Sequence, residues 1–122
     1  MNATGASDLL VGSFVTAEAL IRCIQKASMA EISLISTSPD SETDNEDILL
    51  AYYIRDRLEG KSYDRGELNK LMRETSAYRF LFQEVGVPEG DFDLCLAIDR
   101  FDFVVGRDPE KIELTLRKRD CK

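Results

Sequence analysis

Short apolar runs and helix-like segments alternate along the first half of the chain. Residues 8–13 form an apolar run bounded by polar and glycine residues, which predicts a buried strand. Thr16 suits the N-cap of the next segment, where apolar residues recur at helical spacing as far as Ala27. Residues 31–36 predict a second strand. Strand, helix and strand in this order form a βαβ unit, so we expect two parallel strands joined by a right-handed crossover.

The middle of the chain predicts three further helices, over residues 48–58, 65–75 and 76–86. Asp44 or Asn45 is in position to cap the first of them, and Gly60 is in position to end it. Ser76 can cap the third. We expect the second and third helices to form a small excursion from the sheet.

The C-terminal part predicts a short helix followed by two strands. Residues 91–99 form the helix, and the apolar alternation of residues 101–105 and 112–116 predicts two strands paired as a hairpin. The sequence therefore predicts a single α/β domain over residues 1–122. We expect a small, mostly parallel sheet with packed helices and a C-terminal antiparallel hairpin.

Charge and composition exclude several classes of function. The 122 residues carry a net charge of −7 and contain no histidine. Nucleic acid is not expected as a partner, because phosphate binding needs a basic face. The missing histidine removes Ser-His and Cys-His triads and histidine metal sites. No apolar run approaches the ~20 residues of a membrane span, and the N-terminus lacks a signal-peptide pattern, so we expect a cytoplasmic protein without membrane association.

The cysteines and the basic C-terminal residues suggest no chemistry. Cys23, Cys95 and Cys121 are odd in number and far apart, which indicates neither a disulfide framework nor a zinc site. Cys23 and Cys95 have apolar neighbours and are predicted to be buried free thiols. The basic residues 117–119 are interpreted as a solubilising tail.

Five carboxylates crowd the eight residues from Asp40 to Asp47. A loop that leaves a buried strand and opens into a helix is where α/β folds place their chemistry. Crowded carboxylates there suit a divalent cation with oxygen ligands. They equally suit a solvated helix entry, because the helix dipole favours acidic residues in the first turn. An EF-hand is excluded, because the twelfth position is Ala51 and the sixth is not glycine.

A second set of chemical side chains has a spacing of four residues. Asp91, Cys95 and Asp99 share one face of the predicted helix. One interpretation places two carboxylates and a thiol in a cleft. The other is structural, with Asp91 capping the helix, Cys95 in the core and Asp99 ending the helix. No cationic neighbour marks Cys95 as a nucleophile of low pKa.

These residues belong to an ordered series of motifs. Residues 91–105 are similar to the pattern D-x-x-x-C-x-x-x-D-x-x-x-x-V-P, and residues 8–19 are similar to D-x-L-x-G-S-x-x-N-x-x-A. Glu42, Glu46 and Asp47 occupy the acidic positions of the pattern E-x-S-x-[ED]-D. In this order, the motifs resemble those of the 2-phosphosulfolactate phosphatase family.

The resemblance implies a magnesium-dependent hydrolase. Its substrate would be a small phosphorylated sulfonate, 2-phospho-3-sulfolactate, which loses phosphate to give 3-sulfolactate on the route to coenzyme M. Mg²⁺ is the implied cofactor. The implied site consists of catalytic Asp47, Glu46 and Asp99, substrate-binding Arg100, and the metal ligands Glu42, Glu46 and Asp47.

The family's N-terminal motifs D-x-x-R-A-T-S and T-T-N-G-T do not occur in this sequence. We therefore expect the chain to correspond to the C-terminal half of the family and to lack activity alone. Activity would then require a partner chain that carries the N-terminal half, and a homo-oligomer is the other expected assembly. The alternative is a non-catalytic, standalone interaction domain derived from the same fold.

Overall fold

The computed structural model describes residues 5–37 and 46–121. The strands in these ranges are β1 (Leu10–Val11), β2 (Val104–Arg107) and β3 (Leu116–Arg119). The helices are α1 (Ala17–Ala27), α2 (Glu46–Leu58), α3 (Arg65–Arg73), α4 (Ser76–Tyr78) and α5 (Glu89–Cys95). A 3-10 turn, Phe14–Thr16, precedes α1, and a π-helical stretch, Arg79–Glu84, continues α4. None of the helices in the described ranges is long and apolar enough to cross a bilayer.

Helix α1 is the centre of the hydrophobic core. It begins after Thr16, as predicted, but the Thr16 side chain makes no capping hydrogen bond to the helix. The helix ends at Ala27, and Ser28 after it adopts a left-handed conformation with φ of 49°. One face of α1 packs against α2 and β2. The remaining core comes from α3, α5 and the segments beside them. The large apolar side chains of the core are Phe14, Leu20, Ile21, Ile24, Leu50, Tyr53, Ile54, Leu68, Met72, Phe92, Ile98 and Val104.

Helix α2 ends where the sequence predicts. Gly60 has φ of 83°, and its N–H donates to the carbonyl of Arg57 at 3.1 Å. The N–H of Lys61 donates to the carbonyl of Asp56 at 2.9 Å. These bonds satisfy carbonyls of the last turn, and glycine supplies the left-handed residue at no steric cost. The proposed caps Asp44 and Asn45 lie outside the described residues.

The next two helices both begin with a side-chain cap, and the cap of α4 differs from the predicted residue. Asp64 caps α3, and its Oδ1 accepts hydrogen bonds from the N–H groups of Gly66 and Glu67. Thr75, rather than Ser76, caps α4, because its Oγ1 accepts from the N–H of Tyr78 at 3.1 Å. The prediction for Ser76 is therefore wrong by one residue, since threonine has the same capping chemistry.

The sheet is antiparallel, so the prediction of a mostly parallel sheet is wrong. Its order is β1-β2-β3, with Leu10 opposite Gly106 and Val105 opposite Lys118. Residues 31–36, the predicted second strand, form no strand, and Ile32, Leu34 and Ile35 are exposed there. The predicted βαβ unit is absent from this part of the chain. Strand β1 pairs instead with β2, a contact between distant segments that periodicity does not reveal.

The predicted C-terminal hairpin is confirmed, with both strands nearer the C-terminus than expected. The predicted strands covered residues 101–105 and 112–116, whereas β2 and β3 pair over Val104–Arg107 and Leu116–Arg119. The N–H of Asp108 donates to the carbonyl of Thr115 at 2.7 Å and closes the ladder. Ile112 is fully exposed, so the first residues of the predicted second strand belong to the turn.

The predictions for the cysteines are also wrong. Cys23 on α1 forms a disulfide with Cys121, which follows β3, and their Cα atoms are 5.1 Å apart, a normal bridging distance. Cys95 is a free thiol, but it is exposed rather than buried. The two bridged residues are 98 positions apart, and only the hairpin brings the second of them back to α1.

We predict that reduction of the Cys23–Cys121 bridge lowers the free energy of unfolding by about 2–4 kcal/mol. The bridge closes a loop of 98 residues and so restricts the unfolded chain strongly. Urea unfolding with and without a thiol reductant measures the change. Cys121→Ser should show the lower value without reductant, whereas Cys95→Ser should behave like the unmodified chain. Equal unfolding midpoints in both conditions would contradict the bridge.

Candidate functional site

The acidic start of α2 lies beside the segment that follows α1. Glu46 and Asp47 occupy the first turn of the helix, where its dipole favours negative charge. The Oδ2 atom of Asp47 is 3.5 Å from Oγ of Ser36 and 3.4 Å from Oγ1 of Thr37, and both hydroxyls act as donors. These contacts are long for hydrogen bonds between oxygen atoms. They place hydroxyl and carboxylate oxygens together at one end of α2.

One carboxylate oxygen of Glu46 is buried at the start of α2. This atom, Oε2, has no hydrogen-bond partner among the described residues. A buried polar atom without a partner loses the hydration it had in the unfolded chain, and this loss costs free energy. A bound water, a cation or another hydrogen-bond donor would offset that cost. A hard cation with oxygen ligands would do so.

The donor set at the start of α2 fits Mg²⁺. Carboxylate and hydroxyl oxygens are the ligands that hard cations prefer, and Mg²⁺ is commonly held by one or two carboxylates. The described part of the chain contains no group of three or more His, Cys, Asp or Glu residues placed to hold a metal ion. Glu42, the third predicted ligand, lies outside the described residues, as do the neighbouring acids Asp40 and Asp44.

The other predicted site residues lie beyond α5. This helix ends at Cys95, so Asp99 does not share a helical face with Asp91 and Cys95, as the sequence predicted. Asp99 has a left-handed backbone with φ of 67°, and its Oδ2 accepts a hydrogen bond from Nη2 of Arg65 at 3.0 Å. Asp91 and Cys95 are both exposed on α5, so the interpretation of Cys95 as a core residue is also wrong.

Arg100, the predicted substrate-binding residue, is exposed on the segment between α5 and β2. Its guanidinium carbon lies 5.8 Å from the centroid of the Phe101 ring. The N–H of Phe101 donates to the carbonyl of Val15 at 3.1 Å and anchors this segment near the start of α1. Asp99 thus contacts α3, whereas Asp47 contacts the segment before α2. The predicted catalytic carboxylates engage two different parts of the domain.

A charged cluster between α1 and α2 determines how α2 is oriented. Glu18 of α1 accepts three hydrogen bonds from α2. Tyr53 donates its hydroxyl to Oε1 at 2.5 Å, and Arg57 donates Nε to Oε1 at 3.0 Å and Nη2 to Oε2 at 2.8 Å. The hydrogen bond from Arg57 holds the pKa of Glu18 below its usual value, against the opposing effect of burial. The ionised carboxylate therefore binds α2 at neutral pH.

Tyr53 completes the cluster as a buried hydrogen-bond donor. Its ring lies between Phe14 and Tyr63, with centroid distances of 6.1 and 5.4 Å. Burial, followed by the adjacent Glu18 carboxylate, raises the pKa of Tyr53 to about 12. The phenol therefore keeps its proton over the whole neutral range. Sequence reasoning missed this cluster because Glu18 and Arg57 are 39 positions apart and each has a local explanation as a helix-terminal charge.

The protein is a small domain of helices and an antiparallel sheet. It has a pair of carboxylates at the start of α2, a helix that is hydrogen-bonded to Glu18 of α1. A family model described as 2-phosphosulpholactate phosphatase matches residues 1–108 of the 122-residue chain. The chain therefore belongs to the 2-phosphosulpholactate phosphatase family, which confirms the resemblance of its motifs. No curated protein and no solved structure matches the chain significantly.

We predict that Glu18→Gln lowers the free energy of unfolding by about 1–3 kcal/mol, because it weakens charge-assisted hydrogen bonds from Arg57 and Tyr53. The pKa of Glu18 is lowered in the folded state, so its contribution is present above the unfolded pKa of about 4.3. It is lost as pH falls through the folded pKa. Urea unfolding at pH 7 and at acidic pH should show the difference between the two proteins shrinking in acid.

Asp102→Asn is the matched control, because it also removes one carboxylate charge from an ion pair, that of Arg22 and Asp102. The Asp102 side chain is 91% exposed, so we expect a loss below about 0.5 kcal/mol. Equal losses in the two variants would contradict the role of Glu18.

Proposed function

We propose that this domain takes part in magnesium-dependent hydrolysis of 2-phospho-3-sulfolactate to 3-sulfolactate, the step on the coenzyme M route that the resemblance of its motifs implies. The observation that supports this most directly is the buried Oε2 of Glu46, which has no hydrogen-bond partner among the described residues. It lies at the start of α2, within the segment that the family model matches. A cation that binds a substrate phosphate would satisfy this oxygen.

The proposed roles follow from the chemistry of each side chain. Glu46, Glu42 and Asp47 would hold Mg²⁺ through their carboxylate oxygens. When bound, Mg²⁺ supplies charge neutralisation on the phosphoryl oxygens. Asp47, held beside the hydroxyls of Ser36 and Thr37, also accepts the proton of the attacking water.

Asp99 and Arg100 are proposed to act on the substrate from the segment after α5. Asp99 is the candidate that orients a water molecule, which donates the proton to the leaving alkoxide, and the ion pair of Asp99 with Arg65 determines its position in the absence of substrate. The guanidinium of Arg100 is exposed and suits the planar, two-point recognition of a phosphate or sulfonate group. Both roles require the start of α2 and the segment after α5 to contact the same substrate.

A complete phosphate site requires more donors than these residues provide. The motifs D-x-x-R-A-T-S and T-T-N-G-T would supply them, and they do not occur in this sequence. We therefore propose that the active species combines this domain with a polypeptide that carries those motifs. The 122-residue chain by itself is expected to be inactive.

We predict that Mg²⁺ at about ten times its dissociation constant stabilises the chain by about 1.4 kcal/mol and that Glu46→Gln abolishes this effect, because binding to the folded state alone raises stability. The melting temperature with and without Mg²⁺ measures it. Glu84→Gln is the control, since Glu84 is an exposed acid on the π-helical stretch, outside the proposed metal site. An equal Mg²⁺ response in Glu46→Gln would contradict the assigned ligand.

Phosphate release provides the second measurement for the same site. The purified chain should release no phosphate from 2-phosphosulfolactate, and Mg²⁺-dependent release should appear when an N-terminal half of the family is added. Asp47→Asn should then lower kcat by about 100-fold, the usual contribution of a general base. Magnesium-dependent release by the 122-residue chain alone would contradict the need for a second polypeptide.

The alternative function, a non-catalytic interaction domain, is supported by a different observation. Apolar residues alternate at Ile112, Leu114 and Leu116, in the segment that leads into β3, and their exposed fractions are 100%, 69% and 48%. Strand β3 is at one edge of the described sheet. An exposed apolar row that runs into an edge strand offers a surface for contact with another chain.

We predict that the chain self-associates through this apolar row and that Leu114→Lys shifts it towards the monomer, because the substitution introduces a charge into the row. Light scattering should give a mass above 13.8 kDa for the unmodified chain. Thr115→Lys adds the same charge at an exposed neighbouring position and leaves the apolar row intact. A monodisperse monomer of the unmodified chain at high concentration would contradict this prediction.

A further inference from the structure

A cleft of about 460 Å³ lies beside the sheet, and none of the predicted site residues that the structure describes lines it. It is formed by residues before β1, at the end of β2, at the end of β3 and just after α1. The lining residues are Ser7, Asp8, Met29, Arg107, Pro109 and Arg119. Its volume falls within the range of small-molecule sites, which is about 300–1,000 Å³.

Arg119 is held in the cleft by a hydrogen-bonded ion pair. Its Nη1 donates to Oδ1 of Asp8 at 2.7 Å, and the same oxygen accepts from the N–H of Leu9 at 2.9 Å. The hydrogen bond from Arg119 lowers the pKa of Asp8. Gly106 makes this arrangement possible, since a Cβ there would be 2.9 Å from Nη1 of Arg119. The guanidinium therefore crosses β2 over the one position without a side chain.

Arg107 differs from the other arginines at this end of the sheet. Arg117 forms ion pairs with Asp108 at 3.4 Å and Glu110 at 3.9 Å. Arg107 is exposed, and its guanidinium has no ion pair among the residues that the structure describes. The cleft lining thus contains two arginines and one aspartate, a net charge of +1 on a chain whose net charge is −7.

We infer that this cleft binds a small molecule through an oxyanion group, a phosphate or a sulfonate. A guanidinium provides a planar set of donors that matches such a group with two parallel hydrogen bonds. Arg107 supplies a guanidinium that forms no ion pair with any described residue, Arg119 supplies donors beyond its bond to Asp8, and the hydroxyl of Ser7 is a further donor. Resting on the proposed function, the inference makes the cleft a subsite for one anionic group of the phosphorylated sulfonate substrate.

The test is to titrate the chain separately with 3-sulfolactate, inorganic phosphate and sulfate. Binding of each is measured by calorimetry and by the chemical shifts of the backbone amides. We expect 3-sulfolactate to shift the amides of Ser7, Met29 and Arg107. Arg107→Gln should weaken its binding about tenfold or more, the effect of losing a hydrogen bond to a charged group. Since Arg107 is exposed and forms no ion pair within the described part of the chain, this variant is expected to fold normally.

Arg22→Gln is the control, because it removes the same charge from an exposed ion pair with Asp102, outside the cleft lining. Unchanged 3-sulfolactate binding in Arg107→Gln, or an equal loss in Arg22→Gln, would overturn the inference. So would binding of inorganic phosphate or sulfate without 3-sulfolactate.

The proposed function and the cleft can fail separately. Binding of 3-sulfolactate that depends on Arg107, without hydrolysis in the complemented protein, supports the cleft and contradicts the phosphatase activity. Hydrolysis that proceeds in Arg107→Gln with an unchanged KM supports the activity and overturns the subsite.

Discussion

The half-buried carboxylate of Glu18 is the constraint on which the arrangement of the helices depends. A charged group that is partly withdrawn from water loses hydration, and hydrogen bonds to its oxygens offset that loss. The three donors to Glu18 in the described structure come from α2. Tyr53 and Arg57 are four residues apart, so both lie on the same face of α2. Two donors one turn apart determine the rotation of α2 about its axis as well as its position along α1. They thereby determine where the helix presents Glu46 and Asp47.

The second constraint is the return of the C-terminal hairpin to the beginning of the chain. Strand β2 lies between β1 and β3, and Arg119 and Cys121 then contact Asp8 and Cys23. The bridge and the ion pair both connect the C-terminal residues to the first 23 residues of the chain. Asp8 and Arg119, the two members of the ion pair, also line the cleft.

The family model covers one of the two candidate binding regions completely and the other only in part. The acidic start of α2 and the segment around Asp99 lie within matched residues 1–108, whereas β3 and Cys121 lie beyond them. The cleft combines Asp8 and Arg107 from the matched part with Arg119 from the unmatched part. Features of this chain beyond the family pattern therefore contribute directly to one of its two candidate binding regions.

The sequence by itself determined the local features, because helix caps and stops depend on a few neighbouring residues. Thr16, the glycine stop at Gly60, the acidic first turn of α2 and the C-terminal hairpin were all predictable, and so was the family. Only the tertiary structure decided the antiparallel pairing of β1 with β2, the Cys23–Cys121 bridge, the Glu18 cluster and the arginine cleft. Each of these joins residues that are tens of positions apart, and their contacts arise from burial and hydrogen bonding in the folded chain, which neither spacing nor periodicity encodes.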